Sequence, residues 1–203
     1  MAEVRSIVDD YRVANIGKRV DIILRNYARF NNLVDGYEKC LSIVIRNERE
    51  HRRRRENGEL GVRIQTSNIS DVTARTAVEN VSIQEAIHEG DYDTALRGSE
   101  NYFKHRAEIM TLLDMRDDYQ IVCSQVESLD DDERKMLEKY IVNRRSFFTI
   151  ADDENLSPEA VRSRIKRYKK IVKDGAVLFM TDKYFNDDVE KDLEKELELG
   201  ACA

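Results

Sequence analysis

Between Glu159 and Lys173 the chain carries Arg162, Arg164, Lys166, Arg167, Lys169, Lys170 and Lys173 against one acid, Glu159. Cations at this density either sit solvated on a helix or hold phosphate oxygens, and a guanidinium can also pair bidentately with guanine O6 and N7. The rest of the chain favours binding. Its formal charge is -6 over 203 residues, and a uniformly acidic surface repels phosphates. A concentrated cationic run in such a background therefore reads as a dedicated face. Groups that make or break bonds have no comparable signal. His51, His88 and His105 lie far apart, and the sequence has no HExxH, no Cys/His cluster at metal spacing, no Gly-Lys-Ser/Thr run and no GxGxxG. The paired acids fall at helix starts or in the tail, where capping and solvation explain them. The expectation is a protein that is not an enzyme and uses neither cofactor nor metal.

A cationic helix can enter a groove only if other elements aim it. Two helices joined by a tight turn need a small residue where they cross, a turn residue tolerant of positive φ, an apolar plug, a cap, and apolar inner positions on the second helix. Ala151, Asn155, Leu156, Ser157, and then Val161 and Ile165 fill those places in order. Pro158, the only proline, follows Ser157. A serine cap with proline at the first helical position is a strong start signal, because the ring presets φ and the missing N–H would have lacked a partner. Val161, Ile165, Tyr168 and Val172 continue at helical spacing as the inward stripe, and Gly175 is expected to close the helix.

At these residues the sequence resembles region four of bacterial sigma factors. Tyr140-Ile141, Ser146, Ile150-Ala151, Leu156-Ser157 and Val161-Arg162-Ser163-Arg164-Ile165 carry the likeness, which spans Leu129 to Val172. The resemblance implies a helix-turn-helix whose second helix reads a promoter element while other surfaces touch RNA polymerase. The layout also resembles phage-encoded sigma-like regulators of late genes. Three features depart from the family pattern. The loop from Val142 to Arg145 is one residue longer, with Asn143 where glycine is usual. Glu154 occupies a place normally apolar, and Asp152, Asp153 and Glu154 add negative charge near the backbone contact.

Charged residues make up 36% of the chain, with eight Gly and one Pro, so few positions break a helix. The predicted fold is all-α: a long-helix N-terminal bundle with a C-terminal helix-turn-helix domain. Cys40, Cys123 and Cys202 are odd in number and widely spaced, which suits reduced thiols in a cytosol. No apolar run approaches the roughly 18 residues a membrane helix needs, and residues 1–11 lack the apolar core of a signal peptide. A soluble, cytoplasmic protein with no membrane partner is expected.

In chain order, residues 1–57 are read as a long N-terminal helix. Val20, Ile23, Leu24, Tyr27, Phe30, Val34, Tyr37, Leu41, Val44 and Ile45 mark its stripe from Lys18 to Glu56, roughly 55 to 60 Å at about 1.5 Å per residue, with Gly36 as a bend. Arg52 to Arg55 form a second basic patch, either a phosphate contact or a solvated helix end favoured by the dipole. Residues 58–70 are a polar linker in which Val62 to Thr66 has strand-like alternation. Residues 71–127 hold helices starting at Ser70-Asp71 and at the Ser82 to Glu85 capping box, with Ala77 and Val78 on an apolar side, and a second long helix from Ser99 to Gln125 whose stripe includes Phe103, Ile109, Leu112 and Val122. The two long helices are expected to bury their stripes on each other or in a dimer. Residues 128–180 form the sigma region four-like domain, opened by Asp130 and Glu133 as a capping box, and residues 181–203 an acidic tail.

The function expected from these features is sequence-specific reading of double-stranded DNA by a transcription regulator. Glu159, Arg162, Ser163 and Lys166 would address bases, Arg164, Arg167 and Lys169 phosphates, and Ser157 would cap the reading helix. The alternative is a small-terminase-like packaging or assembly factor built on an oligomeric helical bundle. RNA polymerase and a second copy of the chain are further expected partners.

Overall fold

Asn26 stops the first long helix, and its side chain shows how. Its amide donates back to the Ile22 carbonyl at 3.0 Å while its oxygen accepts from Arg29. This competes with the backbone ladder, as Asn side chains readily do. One 3-10 turn follows, Tyr27–Arg29, before the helix resumes. The single helix expected from Lys18 to Glu56 is therefore two, and Gly36, inside the second and with open space around it, is not where the chain breaks.

The computed structural model describes the backbone of residues 2–56 and 72–200 and the side chains of residues 7–56 and 76–185. The expected linker at 58–70, its strand-like stretch and the Ser70-Asp71 start lie outside those residues. The described elements are α1 (Ala2–Val13), α2 (Ile16–Asn26), α3 (Phe30–Glu56), α4 (Val72–Glu89), α5 (Tyr92–Leu96), α6 (Tyr102–Glu127), α7 (Asp131–Ile141), α8 (Phe147–Glu154) and α9 (Pro158–Gly200). The protein is all-α over the described residues. Ser82 lies within α4 and starts no helix of its own. Phe103 and Val78 are exposed rather than on buried stripes.

The chain divides into two units, Met1–Val8 with Asn31–Arg116 and Asp9–Phe30 with Asp117–Ala203. In the first, α3 runs antiparallel to the opening half of α6. Tyr37 donates to Glu108 at 3.1 Å and Ser99 to Glu48 at 2.6 Å, so positions rise along one helix as they fall along the other. Val34, Leu41 and Ile45 are buried on α3, and Ile109, Leu112 and Met115 on α6. Gly90, at φ 74°, makes the turn between α4 and α5, and Asp91 caps α5 by accepting from the Thr94 N–H at 3.0 Å.

The second unit holds α2, the later half of α6, and α7 to α9. Here α2 packs against α9 and α7, and α9 against α7 and α8. Two contacts bring α9 close to its neighbours. A Cβ on Gly175 would come within 2.2 Å of the Gln125 side-chain oxygen, so Gly175 is a close-approach glycine and does not end the helix, which runs on to Gly200. Further along, Tyr184 donates to the buried Asp118 carboxylate at 2.8 Å and accepts from Arg19 of α2. Tyr11 donates to the same carboxylate at 2.6 Å, and Tyr119 stacks on Phe30. As far as Gly200, the stretch expected as an acidic tail from residue 181 continues α9.

Candidate nucleic-acid interface

Helix α7 opens with Asp131, Asp132 and Glu133 in its first turn, where carboxylates favour the helix dipole. Asp130 is its N-cap residue but makes no side-chain cap bond, so the expected capping box is not formed. Beyond Ile141 the loop turns through Arg144, whose φ of 55° lies in the left-handed region. The positive φ thus falls on an arginine rather than on Asn143. Ser146 then caps α8, accepting from the Thr149 N–H at 3.1 Å. Tyr140 stacks on Phe147 with ring centroids 5.0 Å apart.

Asn155 ends α8 at φ 52°, ψ 44°, a conformation Asn adopts at less cost than most residues. Ser157 accepts from the Ala160 N–H at 3.2 Å and so caps the start of α9. Ile150 and Ala151 of α8 are buried, as are Val161, Ile165, Tyr168 and Val172 of α9. Glu154 bonds to Lys139 of α7, and Asp153 pairs with Arg145. Asp153 and Glu154 are therefore matched by local cations.

The stripe of α9 fixes where its charges point. At about 100° per residue, Glu159, Arg162, Ser163, Lys166 and Lys170 share one face, and all five are exposed. Arg162 lies over the Phe147 ring, 5.7 Å from its centroid. Among the described residues Arg162, Lys166 and Lys170 have no carboxylate partner. The phosphate candidates are dispersed. Arg167 pairs with Glu133 at 2.7 Å. Arg164 borders a depression it shares with Asp132, Glu138 and Glu154. Lys169 is half-buried, 4.7 Å from the Tyr140 centroid, and Lys173 pairs with Asp21 of α2 at 2.6 Å.

Sequence reasoning missed a cleft of about 720 Å³ inside this unit. Asp21, Leu24 and Arg25 of α2, Tyr140 and Ile141 of α7, Arg144 and Arg145 of the loop, and Lys166, Lys169, Lys170 and Lys173 of α9 line it. Seven of these residues are cationic and one is acidic. Burial lowers the Lys169 pKa below the usual lysine value; Asp21 pulls it up, while Arg144 and Arg25 push it further down. Arg144-Arg145 was readable only as a loop, and Arg25 gave no signal because its place depends on α2 docking more than a hundred residues away.

The second basic patch is differently built. Arg52 pairs with Glu56 at 2.7 Å, Arg53 with Glu79 at 2.9 Å, Arg54 with Glu50 and Arg55 with Glu100. Each arginine meets a carboxylate, so the patch is locally neutralised. Among the described residues no group of three or more His, Cys, Asp or Glu side chains is arranged to hold a metal ion, and no helix is long and apolar enough to cross a membrane.

Comparisons of the chain with protein-family models, with curated proteins and with solved structures find no match.

Proposed function

We propose that the chain is a DNA-binding transcription regulator in which α8, the Asn155 to Ser157 turn and α9 act as a helix-turn-helix, with the Glu159 to Lys170 face of α9 in the major groove. One observation carries the reading: Arg162, Lys166 and Lys170 share the exposed side of a capped helix whose opposite side is buried. A major groove about 12 Å wide admits one helix, and the first turns of that helix reach base edges. Arg162 and Lys166 address guanine O6 and N7, Glu159 accepts from a cytosine amine, and Ser163 fills between. Contact with RNA polymerase belongs to this reading through the resemblance alone.

Selection of bound fragments from random duplex DNA, with and without polymerase, tests it. Enriched fragments share a motif, and Arg162→Ala weakens binding to that motif by roughly 1 to 3 kcal/mol while binding to random duplex changes little. Equal loss on both would remove Arg162 from base reading, and no enrichment would end the proposal.

A second reading, an oligomeric packaging or assembly factor, has its own support. Ile171, Leu178 and Phe185 are exposed on α9 at seven-residue spacing, a pattern suited to a neighbouring helix. Mass by light scattering separates the two. A ring of eight or more copies favours assembly; a monomer or dimer favours regulation.

A further inference from the structure

The cationic cleft beside α9 asks for a partner that the fold does not provide. Its one carboxylate, Asp21, is already bonded to Lys173. Arg25, Arg144 and Lys170 have no ion-pair partner among the described residues, and Lys169 is held half-buried in the same field. Arg144 also occupies a left-handed backbone position that glycine would fill without strain. Like charges gathered at a strained residue oppose folding, and a persistent outlier of this kind points to a site where a ligand repays it.

We propose that this cleft seats the sugar–phosphate backbone of the duplex that α9 reads, with Arg25 of α2 and Arg144 of the loop as the phosphate contacts that extend the interface beyond α9. The inference rests on the DNA reading above. Its chemistry is that of consecutive phosphodiesters: several cations on separate elements, a single carboxylate that Lys173 already engages, and continuity with the exposed face through Lys166 and Lys170. Arg25 and Arg144 therefore add affinity without sequence preference.

The test uses the full-length chain with Arg25→Gln, Arg144→Gly and Arg162→Ala, measured by fluorescence anisotropy on enriched and on random duplex across a salt series, with inorganic tripolyphosphate as a separate probe. Each lost phosphate contact lowers the salt slope by about 0.9, which is about eightfold in affinity at 0.1 M salt and about threefold at 0.3 M. Arg25→Gln and Arg144→Gly are expected to show that loss equally on both duplexes, and Arg144→Gly to unfold no earlier than the parent because glycine relieves the positive φ. Duplex binding that survives both changes while Arg162→Ala still loses the enriched site would overturn the cleft and leave the DNA reading standing. A chain that binds tripolyphosphate through Arg25 and Arg144 but shifts no duplex would overturn both, and would give the cleft to a free phosphate compound. Binding of neither probe would overturn both as well.

Discussion

Asp118 is fully buried and holds together the parts of the second unit that aim α9. It accepts from Tyr11 at 2.6 Å and from Tyr184 at 2.8 Å, with Lys183 at 3.3 Å and Arg19 at 3.6 Å. Burial, followed by the Asp118 charge itself, pushes Tyr11 ionisation above its ordinary value, so the hydroxyl remains a donor. Replacing Asp118 by alanine removes the acceptor shared by the Tyr11 and Tyr184 hydroxyls and the buried carboxylate that faces Arg19 and Lys183. Breaking a buried ion network from one side costs about 3 to 5 kcal/mol. For a chain of this size that is a fall in Tm of about 6 to 20 °C, at about 2 to 4 °C per kcal/mol. Tyr11→Phe removes one hydrogen bond to a charged group, about 1.5 to 3 kcal/mol, and the double variant should lose less than the sum because both changes act on the same bond. With nine Tyr and no Trp in the chain, urea unfolding is best followed by helical circular dichroism. A loss below about 1 kcal/mol for Asp118→Ala would refute the claim that this carboxylate fastens α2 to α9.

Two further predictions concern stability. In the first unit the buried His105 ring lies 2.7 Å from Glu108 and 3.0 Å from Glu48. Burial works against the charged ring, but the hydrogen bonds to both acids outweigh it and raise its pKa above 6.5. Burial likewise opposes the Glu48 charge, yet bonds from Ser99, His105 and Asn101 hold that group down at about 2. The His105 contribution is therefore complete below pH 6.5 and lost as pH rises through its folded value, while the Glu48 contribution is present above its unfolded value of 4.5 and lost as pH falls toward 2. Urea midpoints should fall on the alkaline side in the parent and stay flat there in His105→Gln; parallel curves would contradict the assignment. At the turn, Asn155→Val should cost about 1 to 2 kcal/mol because a branched side chain resists the left-handed conformation, whereas Asn155→Gly should lose little. Equal midpoints for the two variants would mean that the turn is not held as described.

Local signals account for what was legible. Asn155, Ser157 and Pro158 act within three or four residues of themselves, so the end of α8 and the start of α9 could be read directly, as could the stripe Val161, Ile165, Tyr168 and Val172, whereas Ser146 entered through the resemblance alone. Long-range contacts account for the rest. Gly175 has the type of a helix terminator, but it serves the close approach of Gln125, a residue fifty positions away. Asn26 breaks a helix that carries no Gly or Pro there, through a bond to its own preceding turn. Ser82 has the spacing of a capping box, yet α4 arrives already helical, and a capping pattern cannot start what the preceding turns have begun. The face shared by Arg162, Lys166 and Lys170 follows from helical period alone. The cleft does not, since Arg25 joins it only when α2 docks against α9.

The measurement closest to the central claim is duplex affinity as a function of salt for the full-length chain beside a variant with Arg162, Lys166 and Lys170 changed to Gln, a change confined to the exposed side of α9. The account predicts that the parent binds in dilute buffer with a steep salt dependence and prefers its enriched site, and that the variant keeps its helical content but loses the preference and most of the affinity. A parent that leaves duplex DNA unshifted at low salt, or a folded variant that binds as tightly and as selectively as the parent, would contradict it.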